Sequence, residues 1–455
     1  PELQGMLTMP LSIGLFTAIL KRAGYQLALF DTAHYVTDET TSPANRVKFL
    51  QARVFDYGKD LRVRWKTDLF GDFRRTVESF RPDLMVVTST EDTWLQAVAL
   101  LGCVEDLMIP SICGGVFVTA APEKASAFLP VRMIGVGDGE EIVATVAERI
   151  RQGESCEGIP GVWVKPEDGT IHKTARGPVV DINTLPVPDF SLFEESRFYR
   201  PMGGKIHRTI PVETQRGCAF SCRFCNSPSQ VALARADGAG NFLRRKSISR
   251  LRDELRELHD RYAPDLIYFV DDTFLARPMS EISHMAEMYQ EFCTPFWENT
   301  RPETITPESL QFLRRMNCFR MSLGLEAGNE EFRDKTLYRK MRNTQLLKHF
   351  EHAADGGVTY STNIIIGYPN ETRVLVFESI ELMRQIRGYD SITVSIFTPY
   401  HGSSLRTYAE SQGYLDSSVL TTHTTSRSLL KMPPPYLSPD AIDALMRVFP
   451  LYVAL

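Results

Sequence analysis

Apolar residues recur at helical spacing from Leu11 to Arg22 and the run closes at Gly24, which predicts a helix with a glycine cap. Residues 26–30 follow as a short apolar strand ending at Asp31, and a polar stretch of weak periodicity continues to about Lys66. A helix over about 70–80 then leads through Pro82 into a strand at 84–88. The next pair is a helix at 94–103 and a strand at 111–113 that runs into Gly114 and Gly115. A strand at 131–134 enters Gly135-Val136-Gly137-Asp138-Gly139, and a helix over 140–151 follows. Such alternation predicts a parallel, doubly wound sheet over residues 1–155, with its glycine turns at the strands' carboxyl ends, where these sheets bind ligands.

Residues 156–205 keep no helical period. Two Gly/Pro turns, Gly158-Ile159-Pro160-Gly161 and Leu185-Pro186-Val187-Pro188-Asp189, mark a linker that is either a small β-ribbon or an extended strap. From Thr209 the alternation resumes, with strands expected at 210–214, 266–270, 295–298, 319–325, 360–366 and 391–397. Helices are expected between them, among them 248–262, 280–292 and 374–387. Polar and glycine-rich clusters sit just past the strand ends, the catalytic edge of a β/α barrel. Six repeats in place of eight predict an open, partial barrel over residues 206–420. Pro433-Pro434-Pro435 reads as a boundary, and residues 421–455 as the start of a C-terminal domain. Pro1 and Leu455 both look like cut edges.

Composition narrows the function classes. A chain of 455 residues exceeds one ordinary core, and 43% hydrophobic with 24% charged residues suits a globular protein. A net charge of −5 gives no basic surface for nucleic acid. No apolar run approaches the roughly 20 residues of a membrane span. No secretory signal is visible. Eight cysteines, five of them scattered, fit a reducing cytoplasm better than a disulfide scaffold.

The other three cysteines carry the chemistry. Arg216-Gly217-Cys218-Ala219-Phe220-Ser221-Cys222-Arg223-Phe224-Cys225 spaces thiolates four and three apart on one loop. Three such thiolates can hold three irons of a [4Fe–4S] cubane and leave the fourth iron without a protein ligand. A structural zinc site would want a fourth ligand, and the nearest following histidine, His259, lies across a predicted helix.

This CxxxCxxC motif, with Phe224 before its last cysteine, resembles the signature of the radical S-adenosylmethionine (SAM) superfamily, over roughly residues 206–405. The resemblance implies a [4Fe–4S] cluster on Cys218, Cys222 and Cys225, SAM as co-substrate, Phe224 against the adenine, and an electron donor such as flavodoxin or ferredoxin. Within Tyr268-Phe269-Val270-Asp271-Asp272-Thr273-Phe274, Asp272 is the candidate for the methionine amine, with a helix N-cap as its alternative. Ser322 to Gly328 looks like a Gly-Leu-Glu-Ala-Gly element in which Glu326 binds the ribose or methionine part of SAM, a solvated carboxylate being the alternative. Ile364 to Glu371, with Gly367, resembles the strand that packs on adenine. Arg301 stands at a strand end, with the SAM carboxylate or a surface ion pair as its partner.

The first domain is similar to the cobalamin-binding units fused to radical SAM barrels. The similarity rests on Met9-Pro10-Leu11-Ser12-Ile13-Gly14-Leu15, Ala23-Gly24-Tyr25, Arg81-Pro82-Asp83-Leu84, Ala121-Pro122-Glu123, Gly137-Asp138-Gly139-Glu140-Glu141 and the Leu185–Pro188 strap. It implies a first strand lying before Pro1, and cobalamin contacts at Ser89, Thr90, Gly114, Gly115, Gly137, Gly139 and Glu140. Asp31-Thr32-Ala33-His34 lacks the spacing of a histidine motif for cobalt, so His34 reads as a loop residue. A doubly wound fold that only orients substrate or partner remains the alternative. The expected fold is α/β: an N-terminal Rossmann-like cobalamin domain followed by a partial (β/α)6 TIM-type barrel. The expected activity is methylation of an unactivated carbon of a small molecule through methylcobalamin and a 5′-deoxyadenosyl radical. Tyr400 and His401 are the weak catalytic candidates. A cyclisation or rearrangement without methyl transfer is the alternative. A methylthiotransferase would need a second cluster, for which Cys103, Cys113 and Cys156 are too dispersed.

Overall fold

The structure is a computed structural model that describes residues 9–36, 47, 53–421 and 427–455. The chain's start, and much of the polar stretch expected before Lys66, fall outside the described residues. Two sheets organise the rest. The first runs β1 (Met85–Thr88), β2 (Ser111–Gly114), β3 (Met133–Gly135), β4 (Val162–Val164) in that spatial order. β1 to β3 are parallel and β4 is antiparallel. Neighbouring residues on β2 point to opposite faces: Cys113 joins Trp94, Phe117 and Val136 on one side, and Ile112 joins Ile142 and Val146 on the other. Helix Leu11–Arg22 packs beside helix Gly139–Gln152 through Leu20, Val143 and Ala147.

The second sheet contains β5 (Tyr199–Met202), β6 (Lys205–Val212), β9 (Leu266–Phe269), β10 (Phe296–Thr300), β11 (Cys318–Glu326), β12 (Tyr360–Ile366) and β13 (Ser391–Ile396), adjacent in that order. β6 and β9 to β13 pair in parallel, giving the six expected barrel strands. β13 and β5 are unjoined edges, so the barrel is open. A two-stranded ribbon, β7 (Gln215–Arg216) with β8 (Arg244–Arg245), stands at the end of β6. On the outer face Ile210, Phe269, Phe296, Leu323, Ile364 and Ile396 merge with Leu251, Leu255 and Leu258 of helix Ile248–Tyr262 into one buried cluster. The alternate positions are polar and linked: Trp297 Nε1 donates to Ser322 Oγ (3.0 Å), Ser322 pairs with Ser361 (3.2 Å), and Asn299 donates to the Tyr268 hydroxyl (3.0 Å).

One expectation changes: residues 26–30 carry no strand ladder, and Leu27 packs against the cluster of Leu20, Val143 and Ala147. The 156–205 strap is not free of the two sheets, because β4 near its start and β5 near its end each add an antiparallel edge strand. Helix Pro439–Ala454, in the segment read as the start of a C-terminal domain, packs on the barrel. Its Ile442, Leu445, Met446 and Phe449 lie in the barrel's own core, since an amphipathic helix of this length must bury its apolar stripe somewhere and finds helix Arg373–Arg384 and β13.

Candidate functional site

The cysteine loop hangs from a rigid root. Asp271, at the end of β9, accepts from the Thr214 and Gln215 amides (2.8 and 3.1 Å), from the Thr214 hydroxyl and from Arg277 (3.0 Å). Gln215 adds a bond to the Thr273 carbonyl (2.7 Å). Gly217 then turns with φ +92°, and a Cβ there would stand 2.9 Å from the Phe242 ring, so glycine is required on both counts. Cys218 approaches Thr273 Oγ1 (3.5 Å), Cys222 Sγ accepts from Arg301 Nη1 (3.2 Å), and Cys225 Sγ accepts from the Ser227 amide (3.4 Å).

The three thiols are close enough for their charges to oppose one another at Cys225, yet no three His, Cys, Asp or Glu side chains among the described residues converge as they would on a single ion. A [4Fe–4S] cubane takes one thiolate on each of three irons, and three thiols on one loop fit that donor set. Burial pushes the Cys222 thiol up against the pull of Arg339 and Arg301, and pushes Cys225 to about 12. These thiols therefore stay protonated until a cluster draws them into thiolates, and ligation releases protons.

The neighbouring strand ends supply polar groups lacking partners. β11 breaks register between Gly324 and Glu326, and Glu326 sits at φ +70°, an uncommon conformation for a residue with a side chain. A Cβ on Gly324 would fall 2.2 Å from Glu326 Oε1, so glycine makes room for the folded-back carboxylate. Oε1 accepts from Arg339 Nη1 (3.0 Å), while buried Oε2 has no partner. Burial raises the Glu326 carboxyl pKa despite Arg339 and Arg301. Arg301 is not at the surface: its guanidinium lies 3.8 Å over the Phe220 ring, pairs with Glu303 and leaves Nε bare. Asp272 caps no helix; it accepts from Ser227 Oγ (3.1 Å), two residues past Cys225. Phe224 packs on Tyr368 (5.8 Å), whose buried hydroxyl is also unpartnered. Gly367 turns at φ +82° against Ile442, and its amide donates to Glu371 (2.5 Å). Unpaired Glu326 Oε2, Arg301 Nε and the Tyr368 hydroxyl beside three cysteines fit a ligand carrying amine, carboxylate and adenine, as SAM does. Arg339, buried and paired with Glu326 (3.0 Å) and Glu303 (3.9 Å), carries no local signal in the sequence.

The expected cobalamin positions divide. A Cβ on Gly114 would stand 3.9 Å from the Gly135 carbonyl, an ordinary contact. Ser89 and Thr90 lie at the end of β1, their hydroxyls engaged with Thr93. Gly115 packs on Ser89, Gly137 on Arg176 and Gly139 on Phe16. Glu140 Oε1 accepts from Arg216 Nη2 (2.7 Å). Tyr400 and His401 stand where the two sheets meet. Glu91 accepts from the His401 amide (2.9 Å) and Nδ1 (2.7 Å), leaving His401 Nε2 buried and unpartnered.

Residues 212–383 match the family model of the Radical SAM superfamily. This segment is a radical SAM domain, and the protein is a radical SAM enzyme. Among the relatives it resembles, an uncharacterised methyltransferase of Pyrococcus horikoshii is 25% identical over 386 residues, 83% of this chain and 80% of its own. Cytidylyl-2-hydroxyethylphosphonate methyltransferase of Streptomyces wedmorensis is 21% identical over 452 residues, 90% of this chain and 79% of its own. The radical SAM methyltransferase TsrM of Kitasatospora setae, solved with cobalamin and a [4Fe–4S] cluster, shares the fold at TM-score 0.62 and 15% identity, over 96% of this chain and 82% of that one.

Proposed function

We propose that this protein is a cobalamin-dependent radical SAM methyltransferase that alkylates an unactivated carbon of a small molecule. The observation that carries the reading is the three-cysteine loop beside Glu326 Oε2, Arg301 Nε and the Tyr368 hydroxyl, buried groups with no hydrogen-bond partner among the described residues. The methyltransferase names of the 25% and 21% identical relatives support it. When bound, the cluster and SAM supply a 5′-deoxyadenosyl radical and cobalamin supplies the methyl group.

The chain's own residues hold and orient. Cys218, Cys222 and Cys225 ligate three irons. Glu326 and Asp272 offer carboxylates to the ribose and the methionine amine, and Arg301 offers its guanidinium to the methionine carboxylate while steadying Cys222. Phe224 and Tyr368 flank the adenine. Gly114, with Ser89 and Thr90, borders the cobalamin. Asn299, Tyr268, Ser322 and Ser361 give the barrel's concave side polar contacts for substrate. A single-electron donor such as flavodoxin or ferredoxin is required. No helix among the described residues is long and apolar enough to cross a membrane, and eight cysteines, five of them scattered, support a cytoplasmic location.

The test is anaerobic reconstitution with iron, sulfide and hydroxocobalamin, followed by reduction in the presence of SAM. Cluster and cobalamin absorbance, together with 5′-deoxyadenosine, are expected, and Cys222→Ala loses the cluster band and the product. S-adenosylhomocysteine accompanying 5′-deoxyadenosine supports methyl transfer. Deoxyadenosine alone in the presence of a processed substrate assigns a cyclisation or rearrangement, and absence of both products overturns the reading.

A further inference from the structure

The Gly137–Glu140 turn is shaped for a task other than capping its helix. Asp138 occupies the N-cap of helix Gly139–Gln152, where an aspartate ordinarily accepts from the first helical amides, yet it makes no such bond. Its Oδ1 accepts from Arg216 Nη1 (3.1 Å), and its Oδ2 accepts from Arg244 Nη1 (2.5 Å) and the Val180 amide (2.9 Å). Glu140 is buried and accepts from Arg216 Nη2 (2.7 Å), while Glu213 takes Arg216 Nε (2.9 Å). The guanidinium is thus held on each of its nitrogens, two of them by the N-terminal sheet's turn.

The ribbon needs this grip. Arg216 and Arg244 are direct cross-strand partners on β7 and β8, and like charges in that position repel. Asp138 lies between them and turns the repulsion into two attractions. Gly217 and Cys218 follow Arg216 at once, and Gly217 is jammed against Phe242, so the placement of the first cluster cysteine follows that of the ribbon. Asp271 fixes the same root from the barrel side, and Glu213 pairs with Arg216, whereas Asp138 pairs with both arginines.

We propose that Asp138 and Glu140 are positioning residues for the cluster loop, acting through Arg216, so that docking of the N-terminal sheet sets the geometry of the cysteines. The inference rests on the cluster reading above for its meaning, but not for its first test. In cluster-free protein, hydrogen exchange of residues 215–226 is compared between wild type and D138N, E140Q and R216K. R216K keeps the charge but loses the planar fork. Exchange about tenfold faster in that segment, with helix Ile248–Tyr262 unchanged, is expected, the weight of one charge-assisted hydrogen bond. In reconstituted protein the variants retain iron and sulfide, but the change in the reduced cluster's electron paramagnetic resonance on adding SAM needs about tenfold more SAM. A purely structural role would lower the melting temperature without shifting that titration. Wild-type exchange and wild-type SAM response in E140Q and R216K overturn the proposal; should D138N not fold, these two still decide it. A wild-type protein that builds no SAM-responsive cluster defeats the proposed function, and the exchange comparison then judges this inference by itself.

Discussion

Asp271→Ala is expected to cost about 3–5 kcal/mol, the penalty for breaking a buried ion pair from one side. The figure can be built from the contacts. Both Asp271 and Arg277 side chains are 0% exposed. Loss of the carboxylate strands the Thr214 and Gln215 amides, each worth roughly 1–3 kcal/mol when buried and unsatisfied. Arg277 keeps the Phe274 carbonyl (2.7 Å), the Thr214 hydroxyl (2.6 Å) and the Phe274 ring (5.0 Å), so its share of the loss is smaller. Asp271→Asn, which retains one acceptor, should lose less. Adding Arg277→Met to Asp271→Ala should recover only the guanidinium's part, because the two amides remain orphaned. Urea unfolding of cluster-free wild type, both singles and the double mutant gives the coupling as a cycle. Asp271→Ala within about 0.5 kcal/mol of wild type, or a coupling of zero, would refute the claim that this carboxylate roots the cysteine loop.

Three further outcomes are expected. Glu371 is completely buried, and burial lifts its carboxyl to about 8 against the pull of the Gly367 and Tyr368 amides. Because this lies above the unfolded value of roughly 4.3, its stabilisation is complete below that pH and fades as pH rises through about 8; Glu371→Gln should flatten the melting-temperature profile over this window, and parallel profiles would exclude it. Gly115→Ala would set a Cβ 2.3 Å from the Ser89 carbonyl at φ +121°, so a loss of at least ~1–3 kcal/mol is expected on heating, and an unshifted melt would contradict the packing. Arg200 is 2% exposed, lies over Tyr268 and Trp297, and has no acceptor among the described residues for any guanidinium nitrogen; burial lowers its pKa to about 10. Arg200→Met should leave the melting temperature unchanged or raise it, and a marked fall would mean the cation is needed.

Periodicity made most of the architecture legible. Helices Leu11–Arg22 and Ile248–Tyr262 and strand Tyr360–Ile366 appear where the apolar spacing places them, because each buries one face, the first beside helix Gly139–Gln152 and the other two in the barrel's core. Residues 26–30 misled, since an apolar run reports burial and says nothing of whether a hydrogen-bonding neighbour exists. The C-terminal helix showed its stripe in the sequence, but not the surface that receives it, which lies on β13 and helix Arg373–Arg384. The cysteine spacing pointed directly to its chemistry. The carboxylates around it were harder, because Glu140 meets Arg216 across 76 positions and Glu91 meets His401 across 310, separations with no local signal. In the Gly-Asp-Gly-Glu turn no sequence signal showed that Asp138 and Glu140 meet Arg216, because tight turns and acidic residues read alike whatever they face.

Glu91 grips the chain just past β13, the last strand of the open barrel, while Asp138 and Glu140 grip it just past β6, the first. Transplanting the front portion of a relative onto this catalytic portion would therefore leave His401, Arg216 and Arg244 facing foreign loops. A workable chimera has to carry all three acidic side chains along with the graft, whatever else it exchanges.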